Sequence, residues 1–239
     1  MENVENQIIN KLKEAFQLIN DKYFEKLELF YNNLIKDTVF KKNIINVKDI
    51  GFKITEDDVK KINLFYDELK DNTQSVYGYD NWSALEKLFF SVLWKNNQIS
   101  RFELLIKGLN NYDNKEKNRE EDYESVKVFE QFGKHLRVPE SIPIVDQHVL
   151  RAFWLHKLIK DNEITNIDDI QKNLNDNILA FDAITNPTSK KKKEIFDEVF
   201  KEYLKWFESL EINSNQHNRL IDKTLFVLGK TIYKSFIKK

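Results

Sequence analysis

The sequence predicts an all-α protein, and three observations carry that prediction. Apolar residues recur at steps of three and four along most of the chain, the period of an amphipathic helix. Ser, Thr or Asp stands at the head of several of these periodic stretches, where a side-chain oxygen can accept from the first free N–H groups of a helix. Strand-like alternation is almost absent, and the one β-tolerant stretch, residues 44–54, is short. With 239 residues, 41% hydrophobic and 13% aromatic, the chain has enough apolar surface for a substantial core. One all-α domain over 1–239 is predicted, with lobes at 1–111 and 123–239 joined by the polar segment 112–122 as its natural subdivision.

Taken in order, Ile8, Leu12, Phe16, Ile19, Tyr23, Leu27, Phe30 and Leu34 mark one long helix or a pair between Val4 and Ile35. After the connector, "TEDDVKKINLFYDELK" places Thr55 three residues before Asp58 in capping-box spacing. "NWSALEKLFFSVLWKNN" carries a broad apolar face from Trp82 to Leu93, which predicts a central helix. "SRFELLIKGL" repeats the capping-box spacing with Ser100 and Glu103. The charged run "NYDNKEKNREED" predicts a surface loop.

Periodicity resumes from Tyr123 to Leu136, stops at prolines, and restarts after Asp146 through Leu158. Pro187 and Ser189 then precede a long amphipathic helix that opens with Lys190, Lys191, Lys192 and Lys193. The final predicted helix, within "RLIDKTLFVLGKTIYKSF", has an apolar stripe of Leu220, Leu225, Leu228 and Ile232.

Composition removes several function classes. No cysteine is present, which excludes disulfides, thiolate metal sites, iron–sulfur clusters and a cysteine nucleophile. His135, His148, His156 and His217 fall in different elements, without metal-ligand spacing, so neither a metal nor another cofactor is expected. No Walker, Rossmann, nucleophile-elbow or zincin pattern occurs. The N-terminal stretch lacks a basic segment followed by an apolar block, and no apolar run reaches membrane-spanning length, which predicts a cytoplasmic chain without a membrane partner. Lys plus Arg total 38 against 39 Asp plus Glu, so net charge alone does not point to nucleic acid. Charge is uneven, however: from Arg219 to Lys239 there are six basic residues and one acid, Asp222.

Two of the three prolines of the chain stand in "PESIPIVDQHVLRAFW", residues 139–154. Pro143 disfavours helix at Ile142 and fixes its own φ, so the chain enters extended and Asp146 is placed to cap the helix that follows. A helix start with a proline lead-in accounts for these residues by itself. The segment also resembles one in the helix-hairpin-helix DNA glycosylases, which reads proline, apolar, Asp, any, His, apolar, any, Arg. Pro143, Val145, Asp146, His148, Val149 and Arg151 match it, with Ile144 as an extra residue.

That resemblance implies a helical glycosylase-like body and a base-excision DNA repair activity on damaged duplex DNA. It also implies that Asp146 caps its helix and faces the flipped nucleotide. Cleaving an N-glycosidic bond builds positive charge on the sugar, which a carboxylate near C1′ stabilises while it activates water. Members that form a Schiff base carry a lysine about nineteen residues before the aspartate, and Lys127 stands there. Lys127 is thus the candidate nucleophile for a lyase step, with Lys134 second. Lys134, His148, Arg151, Lys190 and Lys191 are the candidate DNA contacts.

The superfamily's hairpin is a Gly-any-Gly turn, whereas the corresponding stretch here, "YESVKVF", contains no glycine. A second reading therefore stands beside the first: a non-catalytic helical module, binding nucleic acid or protein, in which Asp146 is only a cap.

Overall fold

The computed structural model describes residues 4–42, 53–72, 83, 84, 88, 99–111, 124–161, 170 and 190–237. The described residues are mostly helical and contain no strand. The chain separates into two compact units, 1–50 with 143–239, and 51–142. The division therefore differs from the one expected at the polar segment 112–122. That segment falls inside the second unit and outside the described residues.

In the first unit the stretch from Val4 forms a pair of helices, α1 (Val4–Asn20) and α2 (Phe24–Leu34). Lys22, with φ of 56°, breaks the path between them. A short helix, α3 (Thr38–Lys41), is capped by Asp37, whose side chain accepts from the Val39 N–H. The unit is completed by α7 (Gln147–Lys160), α8 (Lys190–Ser209) and α9 (Asn215–Ile232). Ser214 caps α9, and a π-helical turn, Tyr233–Ile237, follows it.

Helix α9 is the pillar of this unit and packs against α1, α2, α3 and α7. Three of the four residues of its predicted stripe, Leu225, Leu228 and Ile232, are fully buried, and Leu220 is partly buried. On the other side of α7 the core is aromatic. The His156 ring lies flat on Phe16 at 3.9 Å, and Phe153 meets Tyr203 edge-on at 5.4 Å.

The second unit contains α4 (Glu56–Asn72), α5 (Ile99–Asn110) and α6 (Glu124–Arg137). The Thr55 cap forms as its spacing predicts. The Asp58 N–H donates to Thr55 Oγ1 at 3.3 Å, and Asp58 Oδ2 accepts from the Thr55 N–H at 3.0 Å. Helix α5 instead begins at Ile99, so Ser100 lies in its first turn and not at its cap. The predicted central helix around Trp82–Leu93 lies almost wholly outside the described residues.

Helices α5 and α6 cross where each carries a glycine. A Cβ on Gly108 would run into the Glu130 carbonyl, and one on Gly133 into the Leu105 carbonyl. Gly within a helix costs about 1 kcal/mol against Ala, and here it permits near-contact of two backbones. On α6 Gln131 is buried, whereas Phe132 keeps some exposure.

Candidate functional site

The extended entry predicted from Pro143 is present, and Asp146 caps α7 with φ of −135°. Its Oδ1 accepts both cap hydrogen bonds, from His148 N at 2.7 Å and Val149 N at 2.8 Å. Both bonds go to one oxygen, which leaves Oδ2 outside the cap. The residue is partly buried. Burial pushes the Asp146 carboxyl above the ordinary range, against the opposing effects of the two N–H groups and of the Arg151 and Lys230 charges.

A second carboxylate reaches the same place from α9. Asp222 is almost fully buried, and its Oδ2 accepts from the Ile144 N–H at 3.1 Å. It thereby anchors the extended residues that lead into the Asp146 cap. Its other oxygen and the fully buried Tyr203 hydroxyl interact electrostatically without closing a hydrogen bond of good geometry. Burial first, and the nearby Asp146 charge second, drive the Asp222 carboxyl well above its usual range despite the Ile144 N–H. Two carboxyls thus share one site, with the deeper one the more strongly biased to its neutral form.

Arg151 lies one turn into α7 and is fully buried. Its Nη1 donates to His148 Nδ1 at 2.6 Å and to the Gly229 carbonyl at 3.3 Å, and the guanidinium sits 4.6 Å from the centre of the Tyr233 ring. Burial lowers its pKa to about 10, against the Asp146 charge, which leaves it cationic at neutral pH. Because Nδ1 is the acceptor, His148 is the neutral Nε2–H tautomer. Burial, with Arg151, Lys230 and Lys234 nearby, lowers the His148 pKa to about 4. Its ring is edge-on to Phe226 at 5.0 Å and to Tyr233 at 6.2 Å.

Gly229 makes this arrangement sterically feasible. A Cβ there would overlap the His148 carbonyl, so α9 touches the first turn of α7 through bare backbone.

The structure brings together Asp146, His148 and Arg151 of the residues singled out in the sequence. Arg151, expected among DNA contacts, has no exposed surface and acts inside the protein on His148 and the α7–α9 contact. His148 is likewise engaged internally. Lys127 and Lys134 belong to α6 in the second unit, where Lys134 lies 3.7 Å from Glu130. Lys190 and Lys191 open α8, but their side chains lie outside the described residues. Ser189 lies outside them as well.

Sequence reasoning missed Asp222, Tyr203, Gly229 and Lys230. A usable signal existed for two of them. Asp222 is the single acid in a basic C-terminal stretch, and Gly229 is one of only five glycines, set within a strongly periodic helix.

The raised Asp222 pKa has a stability consequence. The folded state holds this proton more tightly than the unfolded chain, so stability falls as pH rises above the unfolded carboxyl value. Asp222→Asn removes that penalty and keeps an acceptor for Ile144 N–H. We expect it to raise the melting temperature at pH 7 by a few degrees, on the scale of about 1–2 kcal/mol. The gain should shrink toward pH 4, as calorimetry across that range would record.

Among the described residues, no group of three or more His, Asp or Glu is placed to hold a metal ion, and no helix is long and apolar enough to cross a membrane. Comparison of the chain with protein-family models, with curated proteins and with solved structures returns no match.

Proposed function

We propose that this protein is a DNA glycosylase that removes a damaged base, with Asp146 as the catalytic carboxylate. The observation that carries the reading is the division of labour within that side chain. Oδ1 alone satisfies the α7 N-terminus, and Oδ2 is left over in a partly enclosed setting. A cap fixed through one oxygen holds the other in a defined position, which a charge-stabilising carboxylate needs. The resemblance of residues 143–151 to the glycosylase segment points to the same side chain.

In the reaction, Asp146 opposes the positive charge that grows on the sugar as the N-glycosidic bond breaks, and it accepts the proton of the attacking water. His148 supplies a backbone N–H to the cap. Arg151 is a positioning residue that holds His148 and α9. For a lyase step Lys127 is the proposed amine. Lys134, Lys190 and Lys191 remain the proposed phosphate contacts of the original reading. The cytoplasm is the proposed location.

The test uses Asp146→Asn, because Asn is as good a helix cap as Asp but carries no charge. Wild type should release a base from labelled duplexes carrying 8-oxoguanine, uracil, an alkylated purine or an abasic site, or give a borohydride-trapped adduct. Asp146→Asn should fold normally and lose about 10²–10³-fold in rate. Equal cleavage by both proteins would overturn the assignment of Asp146. The second reading, a binding module on this scaffold, is favoured by the internal engagement of Arg151 and His148. It predicts intact duplexes with wild type and variant alike.

A further inference from the structure

Helix α9 carries a cationic line that neither the core nor the cap explains. Arg219, Lys223 and Lys230 are separated by four and seven residues, which on a 3.6-residue repeat puts them within about 40° of one another, and Lys234 follows four residues on in the π-helical turn. The line is about 22 Å long at 1.5 Å per residue. None of the four is fully buried, and Lys234 is exposed. The acid within this stretch, Asp222, points into the core and is biased to its neutral form.

Two further observations fix the character of the line. Lys230 and Lys234 face each other closely enough that, with burial, the pair lowers the Lys230 pKa. Like charges held together are a cost in the free protein that an anion removes. The line also passes the carboxylate site, since Lys230 is an electrostatic neighbour of Asp146 and Lys234 of His148. Lys230 Nζ lies 5.7 Å from the centre of the half-exposed Phe226 ring on the same face.

We infer that the α9 line, centred on Lys230 and Lys234, is a docking surface for the phosphate backbone of duplex DNA. A repeated linear anion matches a row of cations along a helix better than a compact ligand does. A membrane surface fits less well. Most large apolar side chains of α9, Ile221, Leu225, Leu228 and Ile232 among them, are buried, and the partly exposed Leu220 and Phe226 offer too little apolar surface to enter a bilayer. The inference rests on the proposed function for its choice of polyanion, but it concerns binding and does not require turnover.

The experiment measures binding of a labelled undamaged 20-base-pair duplex by fluorescence anisotropy between roughly 50 and 200 mM salt. It compares wild type with the double variant Lys230→Gln/Lys234→Gln. The double variant should bind roughly tenfold or more weakly, and the slope of log K against log salt should fall by about two. Lys234→Glu alone, at an exposed position, should weaken binding as well, which guards against a folding defect in the double variant.

Binding by wild type without any base release would uphold this surface while removing the glycosylase reading. An unchanged affinity and slope in the lysine variants, or no duplex binding by wild type, would overturn it. So would lysine-dependent binding to phosphatidylserine vesicles without duplex binding, which would point to a lipid surface instead.

Discussion

Gly229→Val is expected to unfold the unit made of residues 1–50 and 143–239, or to leave it molten, at room temperature. Any Cβ at this position overlaps the backbone carbonyl of His148, and its next contacts are the carbonyl carbon and Cα of the same residue. No side-chain rotation relieves such an overlap, so α9 and α7 have to separate. Overpacking in a core usually costs about 1–3 kcal/mol. Here the obstacle is rigid backbone, and the Arg151 bond to the Gly229 carbonyl is lost with it. We expect more than about 4 kcal/mol, a range reached only by the most disruptive single substitutions. Thermal melts by circular dichroism, with limited proteolysis, would read the effect. A variant that melts like wild type would show that α7 and α9 do not meet through backbone.

The second large effect is an acid transition. His148 and His156 both fall from an ordinary pKa of 6.5 to about 4. Each is neutral in the folded protein and gains a proton more readily once unfolded. Their contribution is therefore fully present above pH 6.5 and is lost as pH falls toward 4. At 1.36 kcal/mol per pKa unit, each histidine accounts for on the order of 3 kcal/mol, comparable together to the whole stability of many domains.

Burial is the main cause of both shifts. Arg151, Lys230 and Lys234 add to it for His148, and Lys160 and Lys13 add to it for His156 against the opposing Asp161 charge. Asp222 and Asp146 act in the opposite sense, since their raised values favour the folded state as pH falls. We expect unfolding to set in between pH 6.5 and 4. The pair His148→Asn and His156→Phe, which keeps an acceptor for Arg151 and a ring against Phe16, should move the midpoint down by about one pH unit. An unmoved midpoint would assign the acid transition to other groups.

Much of the helical layout was legible because its signals are local. The three- and four-residue periods gave α1, α2, α6 and α9, and the Thr55–Asp58 spacing gave the start of α4. Asp146 was legible as a cap for the same reason: Pro143 and the helix behind it are its neighbours in sequence.

What surrounds Asp146 was not legible, because it arrives from far along the chain. Asp222 meets Ile144 across 78 residues, and no spacing rule links them. Arg151 was assigned to DNA because it matches the arginine of the glycosylase segment. Its burial depends on the Gly229 gap, the His148 acceptor and the Tyr233 ring, each set by tertiary packing. The two units divide elsewhere than at the polar segment 112–122 for a related reason. Polar composition marks surface loops, whereas the units follow which helices pack together.

That division gives the two units different histories during synthesis. Residues 51–142 are continuous, so their helices can pack as soon as they leave the ribosome. The other unit joins residues 1–50 to residues 143–239, so α1 and α2 emerge before its pillar α9, with their buried faces unmatched. Ile8, Leu12, Phe16, Leu27 and Phe30 then wait until α9 has been made. A nascent chain stalled before α9 should accordingly be the form most dependent on chaperones, with its second unit already protected from protease.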